Sequence, residues 1–295
     1  MRVIFRLVLF AFLVLDTQLA WAQPLADSTQ VNRKRLNTFI IGSSAAYGVT
    51  LVGLNELWYK GNGRQDFRFF NDNYEWKQVD KIGHFYASFY LSYTAARILR
   101  WADVPTRKAN FAAALTGFLL LVPVEVFDGF SPAYGASAGD LIADAAGPAL
   151  YLGQTLAWGE IRISPKFSFH RTSYAPLRPN ILGSDLSSEI LKDYNGQTYW
   201  LSVDMDKFIP AFPKWLNLAV GYGANGMVSA DDGQNRDLGY KPIRQYYLAL
   251  DFDLTAIRTR SKAVKTLIYI ANMVRLPAPA IEFSPHSTRF YAFYF

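Results

Sequence analysis

The spacing of apolar residues changes once along the chain, close to Trp158, and this change constrains the fold more than any other feature. Before Trp158 the apolar residues recur with the helical period. After it apolar and polar residues alternate, which is the period of a half-buried strand. The pattern therefore predicts an α+β chain, with an N-terminal bundle of four apolar helices at residues 36–159 and an antiparallel β region at residues 160–295.

Each of the four helical segments is about as long as a helix that crosses a lipid bilayer, which needs roughly 20 residues. The segments are Leu36–Tyr59, Val79–Trp101, Ala109–Phe127 and Asp140–Trp158. Tryptophans near segment ends are typical of membrane interfaces, but they also cap the cores of soluble bundles. Positive charges flank the segments on both sides and do not decide between the two cases. Two interpretations stay open: a bundle that touches or partly enters a membrane, and a soluble bundle.

Alternation after Trp158 predicts about five antiparallel strands and one helix. The strands are expected at Arg162–Ser173, Tyr199–Val203, Leu216–Tyr222, Tyr246–Leu254 and Arg289–Phe295, and the helix at Ser261–Val274. The aromatic last strand resembles the assembly signal of bacterial outer-membrane β-proteins, although an ordinary terminal strand has the same pattern. Five strands cannot close a membrane barrel, whose smallest single-chain form has about eight. This half would therefore be a partial barrel, a lid or a platform.

The first 22 residues have the pattern of a secretory signal peptide. Two arginines precede the apolar run Leu7–Leu15, and a small-residue cleavage pattern ends at Ala22. The apolar run stops at Asp16, so it is too short to serve as a transmembrane anchor. We therefore expect cleavage after Ala22, a lead-in at residues 23–35, and an exported protein at the outer membrane or the periplasmic face of the envelope.

The composition excludes several classes of protein. With 51% hydrophobic and 18% charged residues, the chain is too apolar to be disordered. It has no cysteine, which excludes disulfide scaffolds, thiolate metal sites and a lipid-modified N-terminal cysteine. It contains no Walker-type glycine loop, HExxH or GxSxG motif. The positive charges are scattered and do not form a stripe, so we expect no nucleic-acid partner.

Three polar pairs interrupt the apolar segments at helical spacing. Their members, with one lysine, are the candidate site residues Asp80, Lys81, His84, Glu125, Asp128, Asp140 and Asp144. Asp80 and His84 are four positions apart, as are Asp140 and Asp144, so each of these pairs shares one helical face. Short connections make neighbouring helices antiparallel, and we therefore expect the three pairs at one end of the bundle.

A cluster of one imidazole, one ammonium group and several carboxylates allows three kinds of chemistry. The first is a divalent metal site for zinc, manganese or iron. Its ligands would be His84, Glu125, Asp128 and Asp140. In the second, Glu125 and Asp140 form an acid–base pair whose protonation is shifted in opposite directions by burial and by Lys81. In the third, the cluster is structural, with Lys81 paired to a carboxylate, His84 bonded to an aspartate and Asp140 capping its helix.

The order of these motifs resembles the YfiM-like family of predicted periplasmic lipoproteins, whose function is unknown. The shared patterns are DKxxH at 80–84, ExxDG at 125–129 and SxGDxxxDxxG at 137–147. The motifs are more distantly similar to VanZ-like membrane proteins, although Asp144 stands where those proteins have a nearby asparagine. The resemblance covers roughly residues 37–158, and residues 199–295 resemble an extension in longer Bacteroidota-type members. It implies a place in the envelope and supplies no activity, and the absence of cysteine departs from the lipoprotein label.

Two functions from different classes fit these observations. The favoured one is a structural or binding role in the cell envelope, with membrane lipid or another envelope component as the partner. The alternative is a membrane-adjacent, metal-dependent or acid–base hydrolase or transferase that acts on a lipid or glycan head group. The sequence leaves the oligomeric state open.

Overall fold

The computed structural model describes residues 30–59 and 63–295, which divide into two compact units. Unit 1 contains the described residues up to Asp72 together with Ala87–Gly159, and unit 2 contains Asn73–Tyr86 and Glu160–Phe295. Unit 1 is helical and an antiparallel sheet dominates unit 2, so the α+β prediction is confirmed. The predicted signal peptide at residues 1–22 and most of the predicted lead-in lie outside the described residues.

Five α-helices form the part of the described chain that precedes the sheet. They are α1 (Arg33–Leu54), α2 (Val79–Trp101), α3 (Thr106–Leu119), α4 (Val122–Gly129) and α5 (Ala138–Ala157). Helix α2 has the bounds predicted for the second apolar segment, and α5 begins and ends within two residues of the fourth. Helix α1 continues into a π-helical turn at Asn55–Tyr59.

The third apolar segment forms two helices where the sequence predicts one. Helix α3 ends at Leu119 and α4 begins at Val122, with Leu120 and Leu121 in the turn between them. Pro123 in the first turn of α4 explains the break, because proline has no backbone N–H to continue the hydrogen bonds of α3. In the first turn of a helix the backbone N–H groups have no intrahelical acceptor, so a proline there removes no hydrogen bond.

A buried polar contact inside unit 1 connects α2, α3 and α5. The hydroxyl of Tyr151 on α5 donates to Asn110 Oδ1 on α3 at 2.7 Å, and Arg100 on α2 donates to the same oxygen at 2.9 Å. The ring of Tyr93 on α2 stacks on that of Tyr151 with centroids 5.8 Å apart. Tyr151 and Asn110 are buried, so these bonds satisfy polar groups that have no access to water. They fix the register of the three helices against one another.

Unit 2 is built on a six-stranded antiparallel meander in which each strand pairs with the next in sequence. The strands are β1 (Ile163–Phe169), β2 (Gln197–Val203), β3 (Leu216–Asn225), β4 (Ile243–Phe252), β5 (Ala278–Ser284) and β6 (Ser287–Tyr294). The α-helices between them are α6 (Pro179–Leu182), α7 (Leu186–Lys192), α8 (Asp232–Asp237) and α9 (Lys262–Ala271). Every predicted strand overlaps an observed strand, and α9 lies within the predicted helix.

Strand β5 is the one strand that the alternation does not predict. Prolines rarely occur inside a sheet, because they cannot donate to the ladder. Pro279 lies where the pairing of β5 with β6 is irregular, since Ala278 pairs with Tyr294 and Ala280 with Tyr291. A β-bulge at this point accommodates a residue without a backbone donor. The described sheet therefore has six strands where about five are predicted.

The inner face of the sheet buries aromatic and charged side chains together. Trp200 of β2, Tyr247 of β4 and Tyr294 of β6 contact one another, with ring centroids 4.7 to 5.7 Å apart. Lys166 Nζ lies 2.6 Å from Asp251 Oδ2, and both side chains are at most 1% exposed. Because β2 and β6 are not neighbours in the ladder, their contact shows that the sheet curls back on itself.

The carboxyl group of Asp204, just after β2, should make the protein less stable as the pH rises. Burial, and then the charge of Asp253, raise the pKa of Asp204 from 3.8 to about 6, although Asn217 Nδ2 donates to its Oδ1 at 2.7 Å. The folded state therefore holds the proton more tightly than the unfolded state. This contribution to stability is complete below the unfolded pKa and is lost as the pH rises through about 6.

We expect Asp204→Asn to be more stable than the wild type at neutral pH by about 1 kcal/mol, once solvent screening is allowed for. At a pH below the unfolded pKa of aspartate the two proteins should be equally stable. Urea unfolding of both proteins at the two pH values checks this, and a stability difference that does not change with pH would contradict it.

Candidate functional site

Unit 2 holds three of the seven candidate residues, on the first two turns of α2. Asp80, Lys81 and His84 lie there, and Asp80 and His84 share one face of the helix as the spacing predicts. All three are partly buried. Asp80 lies in the first turn of α2, where a carboxylate interacts favourably with the helix dipole.

A left-handed turn precedes α2 and fixes where the helix starts. Trp76, Lys77 and Gln78 have φ values of 46°, 52° and 62°. Residues other than glycine rarely adopt positive φ, and each such residue costs of order 1 kcal/mol or more. Contacts within unit 2 hold the turn: Trp76 N donates to Ala230 O at 3.0 Å, Lys77 pairs with Asp232, Tyr222 donates to Lys77 O, and Arg244 donates to Gln78 at 2.7 Å. Strain that the surroundings enforce in this way is concentrated at functional sites.

Two tyrosines of unit 2 contact the first turns of α2. Tyr194 Oη donates to Asp80 Oδ1 at 2.5 Å. Gly83 leaves room for Tyr199, because a Cβ at position 83 would lie 2.9 Å from the Tyr199 hydroxyl. Burial, and then the charge of Asp80, raise the pKa of Tyr199, so its phenol keeps its proton and donates to Gln197 Oε1 at 3.1 Å. Two phenol groups of unit 2, those of Tyr194 and Tyr199, therefore lie close to the first turns of α2.

Unit 1 holds the other four candidates, and a hydrogen-bond chain through Ser137 brings two of them together. Ser137 is the N-cap of α5, and its Oγ accepts from Asp140 N at 3.1 Å. Its backbone N–H donates to Glu125 Oε2 at 2.8 Å, and its hydroxyl donates to Asp72 Oδ1 at 2.5 Å. The expectation that Asp140 caps its helix is wrong: the capping side chain is Ser137, and Asp140 lies in the first turn. Three segments of unit 1 meet at it: the loop that ends at Asp72, α4 and α5.

Three carboxylates of unit 1 are buried. Glu125 on α4 is 2% exposed, and Asp140 and Asp144, one turn apart on α5, are 4% and 0% exposed. Burying an ionised carboxylate costs several kcal/mol unless a cation or hydrogen bonds compensate for the lost water. At Glu125 part of this compensation is the backbone N–H of Ser137, which donates to Oε2 at 2.8 Å.

The fourth carboxylate of unit 1, Asp128, connects α4 to the π-helical turn. Tyr59 Oη donates to Asp128 Oδ1 at 2.7 Å, and the Tyr59 ring packs on Phe127 with centroids 5.5 Å apart. Burial, and then the Asp128 charge, raise the pKa of Tyr59, which therefore remains a hydrogen-bond donor. The described contact at Asp128 thus joins two segments of unit 1.

Residues of metal-ligating type occur in both units. Among the described residues they include Asp80 and His84 in unit 2, and Glu125, Asp140 and Asp144 in unit 1. Imidazole and carboxylate ligands suit zinc, manganese and iron, as the sequence predicts. Asp128 also belongs to the predicted ligand set, and it accepts a hydrogen bond from Tyr59 Oη. The same residue types can also transfer protons, so geometry within each unit does not by itself select one chemistry.

Three residues that contact the candidates or the Ser137 cap carry no local signal in the sequence. Tyr59 and Asp72 make these contacts in unit 1, and Tyr194 makes one in unit 2. Asp72 lies in an irregular stretch with no helical or alternating pattern. The partner of Tyr59 is 69 positions away, and that of Tyr194 is 114 positions away. No local spacing signal links such residues, whereas Ser137 is recognisable as part of a helix start.

Two helical stretches of the described residues are long and apolar enough to cross a membrane. They are Arg33–Leu54 and Thr106–Gly129. The first is mostly exposed and lies near the N-terminus, and the second is about a quarter buried. The criterion is length and composition alone, which core helices of soluble proteins and signal sequences also meet.

One family model matches the part of the chain that carries these motifs. No curated protein and no solved structure matches the chain. Residues 66–153 match the model of a family described as predicted periplasmic lipoprotein (DUF2279), and this range contains all seven candidate residues. The match confirms the resemblance to the YfiM-like proteins and supports an exported, periplasmic location. Residues 66–153 of this chain are thus similar to the predicted periplasmic lipoproteins of DUF2279.

Proposed function

We propose that this chain is an exported, membrane-associated envelope protein in which the candidate cluster has a structural or binding role. The family description supports export, and the two helices of membrane-spanning length support membrane association. The cluster comprises Asp80, Lys81, His84, Glu125, Asp128, Asp140 and Asp144. The observation that carries the structural role is the hydrogen-bond chain through Ser137.

That chain ties together segments of unit 1 that are distant in sequence. Glu125 accepts from the buried backbone N–H of Ser137, and Asp72 accepts from the Ser137 hydroxyl, 65 positions away. Backbone bonds run beside it, since Phe70 N donates to Ala136 O at 2.9 Å and Ala136 N donates to Arg68 O at 3.0 Å. Carboxylates used in this way close the loop before α5 against the rest of the bundle. The described hydrogen bonds of Glu125 and Asp72 therefore hold segments of unit 1 together.

A second candidate is favoured by the burial of Glu125, Asp140 and Asp144 together. A divalent cation held by these carboxylates of unit 1 would offset their mutual repulsion. The sequence by itself also predicts His84 as a ligand of such a metal. A bound metal of this kind would supply Lewis-acid chemistry, which makes a hydrolase or transferase acting on a lipid or glycan head group the alternative function. In that case Lys81 would steady an anionic group of the substrate.

We expect Glu125→Ala to lower the free energy of unfolding by about 2 kcal/mol, because the buried Ser137 N–H loses its acceptor. Asp237→Ala, at an exposed carboxylate at the end of α8, should change it by less than about 0.5 kcal/mol and serves as the matched control. Urea unfolding of the three purified proteins, followed by tryptophan fluorescence, measures both effects.

Metal content separates the two candidates. The wild type and His84→Ala are extracted gently and in the same way. If the role of the cluster is structural, neither protein should contain stoichiometric zinc, manganese or iron. Metal bound in the wild type and lost in His84→Ala, together with a Glu125→Ala variant as stable as the wild type, would overturn the structural role. Those results would support the metal-dependent alternative.

A further inference from the structure

The sheet of unit 2 is apolar on the outside and charged on the inside. Buried charged side chains of its inner face are Lys166, Asp251, Arg275 and Glu282, each at most 2% exposed. The opposite face, which we call the outer face, carries exposed apolar side chains. They are Leu201, Leu218, Val220, Leu248, Leu250, Phe283 and Phe290, from 36% to 70% exposed. An antiparallel sheet with one face in water normally has the reverse arrangement.

The inner charges find their partners within the chain. Lys166 Nζ contacts Asp251 at 2.6 Å and donates to Phe252 O at 2.7 Å. The guanidinium group of Arg275 lies 4.1 Å from the centroid of the Trp200 ring and donates to the backbone oxygen of Tyr294 at 2.6 Å. Charges that are paired and hydrogen-bonded in this way can remain buried. Contacts within unit 2 therefore stabilise the charged side chains in the interior of the sheet.

The apolar side chains of the outer face form a continuous band across five strands. In the pairing register Leu201 lies opposite Val220, Val220 opposite Leu248, Leu248 opposite Ile281, and Ile281 opposite Phe290. Directly paired residues lie on the same face of a sheet. At a strand spacing of about 4.8 Å, this row is roughly 20 Å wide. Contiguous exposed apolar surface of this extent marks an interaction site.

Aromatic pairs border the band at both ends of the β3–β4 hairpin. At one end Trp215 stacks on Phe252 with ring centroids 6.1 Å apart, and at the other Tyr222 meets Tyr246 at 5.5 Å. Between them the outer-face pairs are aliphatic, Leu218 with Leu250 and Val220 with Leu248. Transmembrane strands have this order of side chains, with an apolar band between two aromatic girdles and a polar interior. Strands β3 and β4 each have 10 residues, within the length of about 9–11 residues found in membrane-spanning strands.

We propose that the outer face lies against the acyl chains of a lipid bilayer. This inference rests on the proposed membrane association, and it identifies the outer face as the surface that contacts the lipid. The polar interior, the aliphatic band and the aromatic borders together favour lipid over a second copy of the chain. A protein interface of this size would carry a polar rim, whereas aromatic rings at both borders suit the boundary between lipid and water.

The natural absence of cysteine allows a direct test at single positions. The full chain is prepared with Leu248→Cys on the outer face or with Leu238→Cys, which lies just after α8, is 55% exposed and is not on the sheet. Each cysteine carries a nitrobenzoxadiazole fluorophore, and the protein is reconstituted into vesicles of phosphatidylethanolamine and phosphatidylglycerol. We expect a blue shift on vesicle binding and quenching by brominated acyl chains at position 248, and neither at position 238.

The outcomes separate this inference from the proposed function. Protein that floats with the vesicles while the probe at 248 stays in a water-like environment would overturn the outer face as the lipid contact and leave membrane association intact. Protein that does not float at all would overturn both. A blue shift at 248 that occurs without lipid and depends on protein concentration would overturn the lipid contact in favour of a second copy on this face. Val220→Cys, labelled in the same way, repeats the measurement if Leu248→Cys does not fold.

Discussion

Replacing Lys166 by methionine should lower the free energy of unfolding by about 3 to 5 kcal/mol, the largest loss expected from a single substitution in unit 2. Methionine has nearly the length of lysine, so packing changes little, and what is lost is the charge together with the hydrogen bond to Phe252 O. Asp251 is fully buried and would lose the ammonium group that compensates for its burial. Urea unfolding followed by tryptophan fluorescence measures the effect, since Trp200 lies in the same interior.

The double variant Lys166→Met with Asp251→Asn is the matched control. It removes both charges and keeps a side chain of similar size at each position. It should recover at least half of the lost stability, because no uncompensated charge remains buried. Ser202 Oγ, 2.6 Å from Asp251 Oδ2 in the wild type, can still donate to the amide oxygen at position 251. A Lys166→Met variant as stable as the wild type would contradict the view that this pair is fully desolvated.

Replacing Gly117 by alanine should destabilise unit 1 by about 1 to 3 kcal/mol through overpacking. A Cβ at position 117 on α3 would lie 2.0 Å from Ser92 Oγ and 2.6 Å from the backbone oxygen of Ser88, both on α2. The serine side chain can rotate away, but the backbone oxygen cannot. The two helices must therefore move apart, and the loss of their contact should appear as a lower melting temperature.

Gly153→Ala on α5 provides the control for this substitution. It is the same chemical change in a helix interior, and a Cβ there has no atom within 4 Å. Alanine favours the helical backbone over glycine, so this variant should gain about 0.5 to 1 kcal/mol. If both variants changed stability in the same direction, close approach of α2 and α3 at Gly117 could not be the cause.

Much of the fold follows from periodicity, because period and length are local properties. The apolar run from Val79 to Trp101 predicts α2 with its observed bounds, and the alternating residues of β2, β3 and β4 predict those strands. The predicted elements differ from the observed ones where the structure overrides the local sequence pattern. Pro279 marks a strand break by propensity, yet a bulge lets β5 form around it. The apolar stretch before Phe127 has the pattern of one helix, yet Pro123 starts a second one.

The sequence also predicts only part of the candidate site. Pairs at helical spacing, such as Asp80 with His84 and Asp140 with Asp144, can be recognised because neighbours on one helical face are close in sequence. The hydrogen bonds that Asp72 and Tyr59 make cannot, since their partners lie more than 60 positions away. The left-handed turn at Trp76–Gln78 is hidden for another reason: none of its residues is a glycine or an asparagine, so only tertiary contacts impose it.

That turn has a consequence for the order in which the protein matures. Lys77 and its partner Asp232 are 155 positions apart, and Tyr222 and Arg244 also reach the turn from the sheet. Strained backbone persists only while its surroundings enforce it. A chain that enters the envelope from its N-terminus has therefore delivered α2 long before the groups that lock its first turn arrive. We therefore expect the segment carrying Asp80 and His84 to reach its final conformation only after β3 and β4 have paired.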